Sequence, residues 1–396
     1  MSQGTRLFAV AIACALLTAS SRIVAGSAVA ALSGQNQAAS DANSRLVRAS
    51  MVGDLTEAKA ALAEGASANA PADAHMTAIG VAALYGRAEI VKMLGAQGAD
   101  VAADQGGETP LMLAASEGHT QTVEALITLG AKVGAKNKAG VTALMAAASA
   151  NRVGAVKALL AHGANPGDTT GEGSTALMAA AYGGYGDVVS ALIAGGANVN
   201  AKDGSGRTPL MAASLAGDGA VARTLLAAKA DPDAEDSGGS TALVYAAANG
   251  HLALVNVLIQ GGSKKGLDQA FPFAIRGCHT DLAKKLVDLG AKTAGRIDGV
   301  STVVLAASSN CIPALEFLIG RGIDVNAANE DGTTALMVAA AEGYASAAKL
   351  LLDHGANLAA ANQNKETAWL LAAMGNQLEV VEIFKAYRAA REKEKR

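Results

Sequence analysis

Short apolar runs alternate with glycine-punctuated polar stretches from about residue 44 to residue 390, and they keep register. A run such as Leu144 to Ala148 comes first. A break follows, commonly glycine plus a polar residue, as at Gly86-Arg87, Gly118-His119, Gly217-Asp218 and Gly250-His251. A second run then sets apolar residues at helical spacing, as in Val156, Leu159 and Leu160. It stops at Gly-Ala: Gly98-Ala99, Gly130-Ala131, Gly163-Ala164, Gly196-Ala197 and Gly355-Ala356. Glycine just past an apolar helix reads as a C-terminal cap, because without a Cβ it adopts positive φ freely. Turn-forming stretches such as Asp203-Gly204-Ser205-Gly206 and Asp331-Gly332 lead into the next run. The pattern predicts helix, tight turn, helix, glycine cap and projecting loop, over and over.

The period is fixed. Thr109-Pro110-Leu111-Met112, Thr142-Ala143-Leu144-Met145, Thr175-Ala176-Leu177-Met178 and Thr208-Pro209-Leu210-Met211 each start 33 residues after the last. Thr241-Ala242-Leu243 and Thr334-Ala335-Leu336-Met337 continue the series. Registered on the first Thr or its substitute, units start at Ser44, Thr77, Thr109, Thr142, Thr175, Thr208, Thr241, Gln269, Ser301, Thr334 and Thr367. Such a period marks a solenoid in which each unit contacts only its neighbours.

The motif resembles the ankyrin repeat, whose signature is T-P-L-H-x-A at this period. The resemblance covers residues 44 to 390. It implies an all-α solenoid of about eleven stacked helix-turn-helix units with projecting loops. One departure recurs. The family's His after the Leu is Met here, at Met112, Met145, Met178, Met211 and Met337. That His bonds to neighbouring loops in the family, so its loss puts that network in question but not the fold. The eighth unit departs further: Gln269-Ala270-Phe271-Pro272-Phe273 replaces the motif, and the loop before it is five residues short. Pro272 is expected at the start of the first helix, where proline is tolerated.

Composition adds what the core is made of. Hydrophobic residues are 51% of the chain but aromatics only 3%, so Ala, Leu, Val and Met must fill the interior. Runs such as Ala179-Ala180-Ala181 and Ala246-Ala247-Ala248 let helices approach closely. Length alone would allow two or three domains. The repeats predict one elongated domain over 44–396, terminal caps included. Charged residues mark those caps: Arg45, Arg48, Glu57 and Lys59 in the first unit, and Tyr387 to Glu392 in place of the last glycine cap.

The first thirty residues stand apart. Arg6 precedes an apolar run from Leu7 to Leu17, and Ala28-Val29-Ala30 fits a small-x-small cleavage site. This predicts a signal peptide over 1–30, cleaved after Ala30, and a periplasmic or secreted protein. The run is too short for an ordinary membrane span, and the residues before Cys14 match a lipid-attachment pattern poorly. Residues 31–43, polar and small, are expected to form a disordered lead-in. No later stretch is long and apolar enough to span a bilayer. Losing Arg6 and Arg22 takes the net charge from −3 to −5, which argues against nucleic-acid binding. The basic tail from Lys385 to Arg396 complements a helix C-terminus.

Catalytic and metal chemistry find little footing. Nearly all of the six His residues fall at repeat positions, such as His119 and His251 after the turn glycine and His162 and His354 before the cap, with no Ser, Cys or carboxylate at a recurring offset. Equivalent Met residues in successive units lie too far apart to share a copper ion, and packing explains them. Asp231 to Asp236 lacks the glycine and closing Glu of a calcium loop. His279 could join two cysteines on a metal, but a fourth ligand is missing. No cofactor is implied. Cys278 and Cys311 fall at the inter-helix turns of adjacent units. Stacked helices lie about 10 Å apart, whereas a disulfide needs Cα atoms within about 7 Å. That spacing tilts the reading toward two separate thiols. A bridge stays open if the offset and the irregular eighth unit close the gap.

Partner contact has better candidates. The resemblance implies a concave groove made by the first helices and loop tips, with the fourth, seventh and eighth residues after each Thr pointing into it. Most are small, such as Ala146, Ser149, Ala179 and Ala212; the exceptions are Leu84, Tyr85, Tyr182, Tyr245 and Phe273, with Tyr185 at the next turn. Large aromatics on a small-residue surface make good anchors, although they also fill gaps between Ala-rich helices. The expected function is that of an exported, non-enzymatic scaffold that holds another protein or a peptide segment. The resemblance to exported bacterial ankyrin-repeat proteins adds an inhibitory or chaperoning role as an alternative. A structural spacer is the rival reading, with an enzyme or metal-dependent module behind it.

Overall fold

The structure, a computed structural model, describes residues 37–71 and 76–394. The leader expected over 1–30 and the first part of the lead-in, 31–36, lie outside the described residues. The chain is an all-α solenoid whose described residues form 22 helices, two for each of the eleven repeats. They fall into two compact units, one ending at Ala230 and one beginning at Asp231. The first helices of the earlier unit are Gln37–Val52, Ala78–Leu84, Pro110–Glu117, Ala143–Ser149, Ala176–Tyr182 and Pro209–Ala216. Those of the later unit are Ala242–Ala248, Leu267–Arg276, Thr302–Ser308, Ala335–Glu342 and Ala368–Met374. Within each unit, first helices pack on first helices of neighbouring repeats and second helices on second helices.

The repeated Thr starts the first helix of the regular repeats. Its hydroxyl accepts from the backbone N–H three residues on, at 3.3 Å for Thr109, Thr142, Thr175, Thr208 and Thr334. This satisfies one of the donors that a helix N-terminus otherwise leaves unpaired. Methionine supplies the other half of a capping box. The backbone N–H groups of Thr109, Thr208 and Thr334 donate to the Sδ atoms of Met112, Met211 and Met337 at 3.4–3.5 Å. A thioether thus stands where Glu or Gln normally reaches back, while the rest of the side chain is buried. Leu111, Leu144, Leu177, Leu210, Leu243 and Leu336 all fill the core beside it.

Projecting hairpins link consecutive repeats. In the earlier unit they close through Asn137 N–H to Val141 O, Thr170 N–H to Ser174 O, and Asp203 N–H to Arg207 O. Asn137 and Asp203 also take two N–H groups each on their side chains, tightening the turn. Neighbouring fingers bond backbone to backbone, Gly171 N–H to Ala139 O at 3.0 Å and Gly204 N–H to Glu172 O at 2.8 Å. The approach demands glycine: a Cβ on Gly173 would lie 2.8 Å from Gly204 N. In the later unit, Gln363 N–H donates to Asp331 O in the same way.

An interior contact explains another glycine. Gln105 is buried, accepts from Thr77 N–H at 2.8 Å and donates to Thr77 Oγ1 at 3.1 Å. A Cβ on Gly80 would sit 2.0 Å from Gln105 Oε1. Gly80→Ala therefore expels the amide and strands the Thr77 N–H, an expected loss of about 1–3 kcal/mol. In a urea titration the midpoint falls while the slope holds. An unchanged midpoint would show that Gln105 has another place to go.

Three expectations change. The lead-in is helical from Gln37, because Ala42 and Leu46 of the first helix are buried and the helix packs on Leu55–Ala63. Asn43 also accepts from Ser67 N–H at 2.9 Å. The first helix of the eighth repeat starts at Leu267, so Pro272 lies inside it instead of at its start. One extra helical turn takes the place of the missing finger. Finally, the last repeat is not polar throughout: Leu370, Met374 and Leu378 are 44%, 69% and 68% exposed. Its charge sits on Leu378–Glu394, where Lys385 pairs with Glu382 and Arg388 with Glu392.

Candidate functional site

The groove face of each unit is floored by the second halves of its first helices. The fourth residue after the Thr is not part of that floor in the earlier unit. Val81, Leu113, Ala146, Ala179 and Ala212 are all buried, because this position meets the neighbouring first helix. The seventh and eighth positions are open. They present Leu84 and Tyr85, Ser116 and Glu117, Ser149 and Ala150, Tyr182, and Leu215, all half-buried. Tyr182 thus stands between Ser149 of the repeat before it and Leu215 of the repeat after it. Tyr185 belongs elsewhere: it is the residue just before the helix Gly186–Ala194, with its ring packed over Gly183. On the finger ahead of Thr109, burial pushes the Glu108 carboxyl above its ordinary pKa.

In the later unit the fourth position carries the large groups. Tyr245 and Phe273 occupy it and are too big to be covered by their neighbours, so both are half-buried. The Tyr245 hydroxyl donates to Asp236 Oδ2 at 2.7 Å, while Asp236 Oδ1 holds Gly238 and Ser240 N–H. Phe273 lies under the Arg276 guanidinium, whose carbon is 4.8 Å from the ring centroid.

A second recurrent feature runs along the turns between paired helices. In several repeats the residue that starts the second helix reaches over the turn of the preceding repeat. Arg87 Nε donates to Met51 O at 3.0 Å, Arg152 Nε to Ser116 O at 2.9 Å and Gln377 Nε2 to Ala341 O at 3.1 Å. His119 Nε2 lies 3.0 Å from Leu84 O, so the family's histidine network has a counterpart at a different position. The ring of His119 rests on Gly86, and that of His279 on Gly250. Burial lowers the His279 pKa, opposed by a hydrogen bond to the Ala248 backbone.

Cys311 is the corresponding residue of the ninth repeat, and Cys278 is the turn residue it reaches, with a φ of 58°. The two form a disulfide with Cα atoms 5.6 Å apart. Cys311 is buried and Cys278 exposed. The sequence argument from helix spacing did not reach the turn edge, where these two residues lie. Among the described residues, no cluster of three or more His, Cys, Asp or Glu is arranged to hold a metal, and no helix is long and apolar enough to cross a membrane.

A family model of ankyrin repeats in three copies matches residues 46–137, 102–170, 129–203, 195–269 and 303–394. The chain belongs to the ankyrin-repeat family. The matched stretches pass over 270–302, the eighth repeat with its missing finger and altered motif. No curated protein matches the chain. Ankyrin repeats are in general protein–protein interaction modules, typically without catalysis, and this ankyrin array is built as a binding scaffold. Sequence reasoning found its aromatics but missed Arg276 and the turn-edge ladder. The signal was present in the ladder's case: Arg87, His119, Arg152 and Gln377 are all long polar residues at one repeat position.

Proposed function

We propose that this ankyrin array is an exported scaffold that holds a protein, or a peptide segment of one, in the groove formed by first helices and finger tips. One observation carries the reading: in a chain with few aromatics, Tyr182 in the earlier unit and Tyr245 and Phe273 in the later stand half-buried on the first-helix face of their own unit. Aromatic side chains in such settings bury much area with little loss of rotamer freedom. Export is supported by the basic residue, apolar run and small-x-small site in the first thirty residues. The Cys278–Cys311 disulfide fits the same reading, since disulfides persist in oxidising compartments.

The test combines fractionation with photocrosslinking. A photoreactive residue at position 149, on the first-helix face next to Tyr182, is expected to trap one partner in the envelope or medium fraction. The Tyr182→Ser/Tyr245→Ser/Phe273→Ser variant, with unchanged circular dichroism, is expected to lose it. Equal capture by both proteins would return these aromatics to a packing role and move the contact to the finger tips, and capture by neither would favour the spacer reading. Retention of the chain in the cytoplasm with residues 1–30 intact would remove export.

A further inference from the structure

Arg276 has an unusual position in the later unit. It follows Phe273 by three residues on the helix Leu267–Arg276, so both share a face. Its guanidinium is held over the ring, and no carboxylate among the described residues pairs with it. Other arginines of the unit are engaged. Arg296 donates to the Gly299 and Ala328 carbonyls, Arg321 lies 4.0 Å from Asp288, and Arg388 pairs with Glu392. Arg391 lies over Tyr387 on the terminal helix.

The surroundings of Arg276 explain its lack of a partner. The equivalent seventh and eighth positions of the flanking first helices hold Ala248 and Asn249 on one side and Ser308 and Ser309 on the other. None is acidic. Asp236, the carboxylate tied to this face, is already occupied by the Tyr245 hydroxyl and two backbone N–H groups. The backbone beneath Arg276 is fixed, because Ser309 Oγ donates to Arg276 O at 2.6 Å. A half-buried guanidinium is thus positioned over an aromatic ring, and none of its N–H groups bonds to an acceptor among the described residues. A guanidinium carries its N–H donors in a planar fork that matches a bidentate carboxylate.

We propose that Arg276 and Phe273 form the anchor for an acidic peptide segment, with an Asp or Glu carboxylate on the guanidinium and a neighbouring apolar residue against Phe273 and Tyr245. This rests on the groove reading above and names the chemistry of its partner. Charge complementarity selects the carboxylate. The aromatic pair selects an apolar neighbour.

A displayed library of random peptides, panned on the full chain, tests it. Selected sequences are expected to place Asp or Glu next to an apolar residue. Arg276→Ala is expected to weaken a selected synthetic peptide by about tenfold to a hundredfold. Amidating the peptide's carboxylate should match that loss on the wild type and add nothing on the variant. Arg276→Lys, which keeps the charge but not the fork, should recover only part. Circular dichroism and thermal melting of both variants establish that they fold. Selection of peptides without acidic residues, or full binding by Arg276→Ala, overturns the proposal and leaves Arg276 as a cation at a helix C-terminus. If such peptides are still lost on Tyr245→Ser, the groove reading survives alone. If no peptide binds, both fall.

Discussion

Reducing the Cys278–Cys311 bond is expected to lower the stability of the unit that begins at Asp231 by about 3–4 kcal/mol. The bond closes a loop with a sequence separation of 33, and a cross-link of that span removes roughly this much conformational freedom from the unfolded chain on the chain-entropy account. Cys278 is exposed, so a reductant reaches the bond; Cys311 is then left buried with its sulfur 3.9 Å from Thr280 Oγ1. The loss should be local, because repeats contact only their neighbours and a solenoid need not unfold as one piece. Urea titration with and without a phosphine reductant measures it. The Cys278→Ser/Cys311→Ser variant provides the reductant-independent control. Limited proteolysis should then cut first near the turns of the eighth and ninth repeats. If the reduced protein melts and digests like the oxidised one, native contacts at that edge already hold the two repeats together.

Phe271→Ala is expected to cost about 3–5 kcal/mol, the usual range for emptying a buried aromatic site. Phe271 is fully buried and its ring centroid lies 6.5 Å from that of Phe317. It stands two residues after the unit start, the position that Leu holds in the regular repeats. The neighbours cannot easily fill the space, since Ala270 and Ala274 flank it on the same helix. Phe271→Leu restores the residue used elsewhere and should recover most of the loss. Thermal and urea unfolding of the pair decide this. A Leu variant as damaged as the Ala variant would mean that the eighth repeat depends on ring shape more than on filled volume.

Period, helix starts and glycine caps were legible because each rests on a local rule: Thr to cap, a hydrophobic stripe to bury, glycine to leave the helix. Other features were set by neighbours in space. The fourth position looked open on one helix alone, but in the earlier unit it faces the adjacent first helix. The lead-in looked disordered because its polar residues hide how few apolar contacts, Ala42 and Leu46, are needed to dock a helix. Pro272 was misplaced by registering the eighth unit on its lost Thr, when the helix had grown backward into the missing loop. Met112, Met211 and Met337 were read as filler, since the acceptor role of a thioether depends on where the Thr N–H points. The groove candidates divide in the same way. Tyr182, Tyr245 and Phe273 lie on the first-helix face; Tyr185 lies on the turn edge.

That edge has a consequence for how such arrays change over time. The pair of backbone positions joined at Cys278 and Cys311 recurs at Gly86 and His119, and again at Gly184 and Asp218, where the later side chain already rests on the earlier glycine. A covalent staple between adjacent repeats is therefore two point substitutions away at each of these junctions, with no rebuilding of helices. It can be lost as simply. Sensitivity to redox conditions becomes a trait that a lineage acquires or sheds one junction at a time, separately from the groove residues that choose a partner.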